Sequence, residues 1–149
     1  MSITSRLLRA CLWLSCLPAQ AMLGGDISQL PHARSAGTGE LVVQPYAHYS
    51  RYDYHNPQGV SVHEFADVHG RIFALSWQGA APLPLRQVLG SYASELQNVH
   101  RRHPDHHRFD LVSPDLVLHS RSYLRQFSGY AYLPGQWPAQ VPNQALSLP

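Results

Sequence analysis

The sequence has few of the residues that carry covalent or redox chemistry. Its two cysteines, Cys11 and Cys16, lie close to the N-terminus, and it contains no lysine. Charged residues make up 13% of the chain, and no apolar run reaches the roughly 20 residues that span a bilayer. The absence of lysine excludes serine–lysine and Schiff-base mechanisms.

The first 21 residues have the layout of a secretory signal. Arg6 and Arg9 come before a short apolar run over residues 10–17, and Ala19-Gln20-Ala21 supplies small residues at the cleavage positions. We therefore predict a signal peptide over residues 1–21, with no transmembrane anchor after its cleavage. The expected location is the periplasm or the medium.

Cleavage at this point changes the chemistry that the chain can offer. Removal of residues 1–21 from a chain of 149 leaves 128 residues, the size of one domain. Both cysteines leave with the signal, which excludes disulfides and cysteine-based zinc sites. Nine arginines then face 9 acidic residues, so a nucleic-acid partner is not expected.

Composition divides the rest of the chain into three parts. Residues 22–40 are rich in glycine, serine and alanine and predict a flexible N-terminus. Residues 41–134 form the predicted single α+β domain. Residues 135–149 form a proline-rich C-terminal tail, which we expect to lie extended over the surface.

Alternation of polar and apolar residues predicts strands in the first half of the domain. The run LVVQPYAHYSRYDYH is followed by VSVHEFA and RIFALSWQG, with turn signals at residues 56–59 and 67–70. Three strands joined by two short turns indicate an antiparallel meander. Two further strands, around FDLVSPDLVLHSRS and SYLRQFSGYAYLP, are expected to return to the same sheet.

Between these two groups of strands, the spacing of the apolar residues changes to that of one face of a helix. Leu85, Val88, Leu89 and Tyr92 begin one stripe, and Pro104 disfavours helix at His103, so the helix should end near residue 102. The predicted fold is therefore α+β, an antiparallel β-meander sheet with one amphipathic helix packed on a face.

The segment HRRHPDHHR is the densest cluster of ligand-type residues. Its histidines, His100, His103, His106 and His107, could hold zinc, copper or nickel. Their spacing matches no standard zinc finger or metalloprotease pattern, so a solvated connection that gains charge on mild acidification is the competing interpretation.

An aromatic platform is a second candidate site. Tyr46, Tyr52 and Tyr54 share one face of the first predicted strand, and Trp77 ends the third. These four residues could bind a glycan or a peptide, since tyrosine and tryptophan combine an apolar ring with a polar group. The competing interpretation is ordinary sheet composition, with Trp77 as a core anchor.

Hydrolase chemistry has little support in the sequence. Leu89-Gly90-Ser91-Tyr92 is not a GxSxG elbow and falls within the predicted helix. The acidic residues show no pairing that the sequence makes visible. We therefore do not expect an enzyme.

Three further stretches stand out along the chain: LGGD after the predicted signal, RIFALSWQGAAPLPLRQVLGSY, and DLVLHSRSYLRQFSGYAYLP. Together they resemble a family of small exported Gram-negative bacterial proteins, the domain of unknown function 2844. The resemblance implies export and a shared fold, and it brings no activity, cofactor or catalytic residue.

The sequence thus predicts an exported, non-catalytic binding or accessory module of the cell envelope, without a cofactor. Another envelope protein is a possible partner. The alternatives are a histidine-based transition-metal-binding protein and, third, a small hydrolase.

Overall fold

The computed structural model describes residues 23–29, 40–100 and 108–146, and these form one antiparallel sheet of seven strands with few helices. The strand order is β1-β2-β3-β4-β7-β6-β5. The strands are β1 Val42–Pro45, β2 Tyr49–His55, β3 Ser61–Asp67, β4 Ile72–Gly79, β5 Arg108–Val112, β6 Val117–Tyr123 and β7 Gln126–Tyr132. The α-helices are α1 Leu85–Val88 and α2 Ala93–His100.

Two turns with the same design join β2, β3 and β4, as the turn signals predicted. In the first, the Asn56 side-chain oxygen accepts hydrogen bonds from the backbone N–H groups of Gln58 and Val60. In the second, the Asp67 carboxylate accepts from His69 and Arg71 in the same way. A glycine of positive φ closes each turn, a conformation that glycine adopts without steric cost.

The helical segment differs from the single helix that the sequence predicted. It consists of α1, a 3-10 turn over Gly90–Tyr92, and α2. Gly90 has a φ of 56°, in the left-handed region, so the α-helical ladder breaks there. Leu89 before the break and Leu96 after it nevertheless belong to the same core cluster.

The inner face of the sheet carries the main core. Trp77, Leu75 and Leu118 are fully buried there and belong to one cluster with Leu89 and Leu96 of the helical segment. Burial of a side chain of this size contributes about 2 kcal/mol. This cluster holds the helical segment and the sheet together.

The opposite, outer face is covered over part of its area by the C-terminal segment. The segment forms 3-10 turns over Pro134–Gln136 and Asn143–Leu146, and Val141 and Leu146 are buried. Trp137 packs edge-on against Phe73 and donates its indole N–H to the Val141 carbonyl at 2.9 Å. The residues predicted as a surface tail thus contribute a second, smaller core as far as Leu146.

The described part of the N-terminal segment also contacts the sheet. Leu23 is buried in the main core, and the backbones of Gly24 and Gly25 exchange hydrogen bonds with Ile72. The backbone of Asp26 forms an isolated antiparallel β-bridge with that of Arg71. Among the described residues, no helix is long and apolar enough to cross a membrane.

Candidate functional site

A continuous row of polar side chains crosses the outer face of the sheet. Directly paired residues of neighbouring strands lie on the same face, and the register places six such residues side by side. From β2 to β5 they are Asp53, His63, Ser76, Tyr130, His119 and Asp110.

One end of the row is a histidine–aspartate pair supported by an arginine. His63 Nδ1 lies 2.6 Å from Asp53 Oδ1, and Arg51 donates to the other oxygen of the same carboxylate at 3.0 and 3.1 Å. All three side chains are partly buried. The carboxylate therefore fixes the imidazole through Nδ1 and leaves Nε2 free of that contact.

The other end repeats this arrangement. His119 Nδ1 lies 2.7 Å from Asp110 Oδ1, and Arg108 Nε donates to Asp110 Oδ2 at 2.5 Å. Burial alone would raise the pKa of Asp110, but the hydrogen bonds from His119 and Arg108 and their charges hold it below its ordinary value. Asp110 is therefore an acceptor over a wide pH range.

The two ends are related by an approximate two-fold axis. The axis passes between β4 and β7, where Ser76 is paired with Tyr130, and it relates His63 to His119. Two strands separate the histidines, which places their backbones about 14 Å apart at the usual strand spacing. One metal ion cannot bridge both rings.

An aromatic pocket of about 580 Å³ adjoins the row. Its walls include Tyr130 and Tyr132 of β7 and Trp137 of the C-terminal segment, and its rim carries the side chains of Asn143 and Gln144. Tyr130 stacks on Tyr132 with ring centroids 6.4 Å apart, and Tyr132 meets Trp137 at 5.3 Å. Among the described residues, those that line this pocket are all uncharged.

The pocket and the row are physically continuous. Tyr130 belongs to both, and its ring lies 4.8 Å from the His119 imidazole, centroid to centroid. A ligand with its flat part in the pocket could therefore reach the His119 imidazole with its polar groups. The volume falls within the usual range for small-molecule sites.

The arrangement supports binding better than hydrolysis. Asp53, His63 and Ser76 occupy neighbouring strands in the order of a catalytic triad, but no hydrogen bond joins Ser76 to His63 in the described chain. The backbone N–H groups in mid-sheet are used in the strand ladders, so none is available as an oxyanion donor.

The inner face contains one buried acid. Glu64 Oε1 accepts a hydrogen bond from the Tyr54 hydroxyl at 2.8 Å, and Glu64 Oε2 has no hydrogen-bond partner among the residues that the structure describes. Burial raises the pKa of Glu64 to about 7, although the Tyr54 hydrogen bond opposes this shift, and burial also raises the pKa of Tyr54. Glu64 is enclosed by the main core and does not open onto the pocket.

The four residues of the predicted aromatic platform do not lie on one surface. Tyr52 and Tyr54 pack against the inner core, where Trp77 is 1% exposed. Tyr46 lies outside the core and stacks on Tyr49 at 4.5 Å. The predicted strand is in fact β1 and β2, joined by a tight turn in which the Tyr46 N–H bonds to the Tyr49 carbonyl.

The predicted metal site falls largely outside the described residues. His103, His106 and His107 are not described, and His100 is the last residue of α2. Within the described ranges, no group of three or more histidine, cysteine or acidic side chains could hold a metal ion. Metal binding by the four histidines stays a prediction.

Sequence reasoning missed both parts of the outer-face site. A faint signal existed for the row, since Arg51-Tyr-Asp53 and Arg108-Phe-Asp110 share one pattern. No pattern in the sequence predicts that β4 pairs with β7. The pocket also depends on where the C-terminal segment places Trp137 on the sheet.

The chain belongs to the family described as "Protein of unknown function (DUF2844)", which it matches over residues 19–146. This confirms the resemblance drawn from the sequence, and the match includes the C-terminal segment that closes the aromatic pocket. No curated protein and no solved structure matches the chain.

Proposed function

We propose that the protein is a non-catalytic binding module of the cell envelope, exported through a signal over residues 1–21. Its ligand is a neutral saccharide held on the outer face of the sheet. The basis for export is the signal layout of the N-terminus, with Arg6 and Arg9 before a short apolar run.

The observation that carries the proposal is the composition of the pocket. Its aromatic walls are Tyr130, Tyr132 and Trp137, and the amides of Asn143 and Gln144 lie beside them. A sugar ring has apolar C–H faces that stack on aromatic rings and an equator of hydroxyls that pair with amides. Because the described residues that line the pocket carry no charge, we expect the ring bound there to be neutral.

The polar row extends this site along one direction. Beyond Tyr130 it offers the His119 imidazole on one side and, past the buried Ser76, the His63 imidazole on the other. Each neutral imidazole donates its Nδ1–H to an aspartate and so presents Nε2 as an acceptor for a sugar hydroxyl. An oligosaccharide therefore fits better than a single sugar.

Calorimetric titration with chitotetraose, a neutral oligosaccharide of N-acetylglucosamine, tests the proposal. We expect the wild-type protein to bind it, and Asn143→Ala to weaken binding by about tenfold because the hydrogen bonds of one amide to the ligand are lost. Gln140→Ala is the matched control, since Gln140 is exposed on the same segment but lines a different depression.

Two results would contradict the proposal. One is that the calorimetric titration detects no heat of binding with chitotetraose, maltotetraose or cellotetraose. The other is equal weakening by Asn143→Ala and Gln140→Ala, which would place the ligand outside the pocket. If a proline-rich peptide binds and Asn143→Ala weakens that binding about tenfold, the ligand of the pocket would be a peptide and not a saccharide.

A further inference from the structure

The hairpin between β6 and β7 has an unusual turn. Tyr123 pairs with Gln126, so Leu124 and Arg125 form a two-residue connection, and both have positive φ, 46° and 64°. Such turns normally contain asparagine and glycine, which adopt positive φ at low cost. Leucine and arginine in this conformation cost on the order of 1 kcal/mol each.

The side chains at this tip face solvent. Tyr123 is 75% exposed and Leu124 is 78% exposed. Neither contributes to a core cluster of the described chain. The residues therefore contribute little to the stability of the hairpin, and the turn itself opposes it.

The tip is also positively charged. Arg121 and Arg125 are both exposed, and neither forms an ion pair within the described chain. The sequence contains no acidic residue after Asp115. Two apolar side chains thus project between two cations.

We propose that this hairpin tip docks on the surface of an anionic phospholipid bilayer. Tyrosine favours the interface between headgroups and acyl chains, and leucine can enter the apolar region below it. Each arginine near an anionic surface adds about 1 kcal/mol of attraction. An anionic bilayer accounts both for the positive charge of the tip and for the exposed apolar side chains of its strained turn.

The position of the tip is compatible with ligand binding at the other end of β7. Tyr132 lies six positions after Gln126, which corresponds to about 20 Å along an extended strand. A bilayer at the tip would leave the pocket beside Tyr132 open to solvent. The docking proposal does not depend on the saccharide proposal.

Co-sedimentation with vesicles tests the docking. The protein is used in the form that accumulates in a Gram-negative host, and all variants carry the same N-terminus. The vesicles are equimolar phosphatidylglycerol and phosphatidylcholine, or phosphatidylcholine alone. We expect binding only to the anionic vesicles, and about fivefold weaker binding for Arg121→Gln.

The decisive variant combines Leu124→Asn with Arg125→Gly. It should unfold at a higher temperature than the wild type, because asparagine and glycine suit the turn, and yet bind anionic vesicles at least about tenfold more weakly. Because the variant is expected to be more stable, loss of binding cannot be attributed to misfolding. Val68→Ser is the matched control, since Val68 is 71% exposed in another turn.

Three outcomes would overturn the proposal. They are equal binding by the turn variant and the wild type, equal binding to neutral and anionic vesicles, and loss of binding in Val68→Ser. Concentration-dependent self-association that the turn variant abolishes, without any vesicle binding, would assign the tip to a second copy of the chain.

Discussion

The two faces of the sheet are built from alternate residues of the same strands, yet they have different properties. On β4, Leu75 and Trp77 enter the main core, whereas Ser76 between them joins the polar row of the outer face. The inner face carries the main core, to which Leu89 and Leu96 of the helical segment also belong. The outer face leaves a pocket and a line of hydrogen-bonding groups. Substitutions on the inner face should therefore change stability, and those on the outer face should mainly change binding.

The largest expected effect is at Gly129, where the inner face is most tightly packed. A Cβ there would overlap the Trp77 ring and the His119 carbonyl. We expect Gly129→Ala to lower the free energy of unfolding by at least about 3 kcal/mol in urea denaturation. Gly135→Ala is the control, because a Cβ at Gly135 meets nothing within 4 Å. Equal effects of the two substitutions would contradict the packing described.

The second prediction concerns the buried acid of the inner face. The folded protein keeps the Glu64 proton up to about pH 7, whereas the unfolded chain releases it near 4.5. This contribution to stability is therefore fully present below pH 4.5 and is lost as the pH rises to 7, by on the order of 3 kcal/mol.

Glu64→Gln should remove that dependence because an amide does not titrate. The difference in unfolding free energy between wild type and variant, measured by urea denaturation from pH 4.5 to 8, cancels the contribution of the histidines. The wild type should lose stability relative to the variant across this range. A constant difference would show that Glu64 ionises normally.

The third prediction tests the anchor of the outer face. Trp137→Ala removes the indole that packs on Phe73 and Tyr132, and should lower the unfolding free energy by about 2 kcal/mol, less than a fully buried tryptophan. It should also abolish chitotetraose binding. Trp137→Phe should restore most of the stability and part of the binding. Undiminished chitotetraose binding by Trp137→Ala would contradict the placement of the ligand against Trp137.

The smallest expected effect is at the histidine–aspartate pairs. Double-mutant cycles with Asp53→Asn and His63→Gln, and with Asp110→Asn and His119→Gln, should give coupling energies below about 1 kcal/mol. The Asp53 pair should couple more strongly because its carboxylate is 18% exposed, against 32% for Asp110. A larger coupling energy for the Asp110 pair than for the Asp53 pair would contradict the effect expected from the difference in burial of the two carboxylates.

The first half of the fold was predictable because its signals are local. Asn56 and Asp67 specify their turns through side-chain hydrogen bonds to the next few residues, and alternation indicates the strands between them. The break at Gly90 was not predicted, since a glycine within a helical stripe keeps the apolar period. The pairing of β4 with β7 joins residues about 50 positions apart, for which no local pattern exists.

The candidate site was not predictable for the same reason. His63 meets Asp53 only in the register that the Asn56 turn sets, and the row is complete only when β7 lies beside β4. The closing wall of the pocket comes from Trp137, in a segment whose prolines indicated an exposed tail. Its burial depends on contacts with Phe73, far away in the sequence.

Fluorine NMR of protein labelled with 5-fluorotryptophan tests the difference between the faces most directly. Trp137 reports on the outer face and Trp77 on the inner face, and Trp→Phe variants assign the resonances. On titration with chitotetraose we expect the Trp137 resonance to shift progressively to saturation while the Trp77 resonance stays unchanged. A shift of Trp77 without a shift of Trp137, or no shift of either at saturating ligand, would contradict the assignment of ligand binding to the outer face.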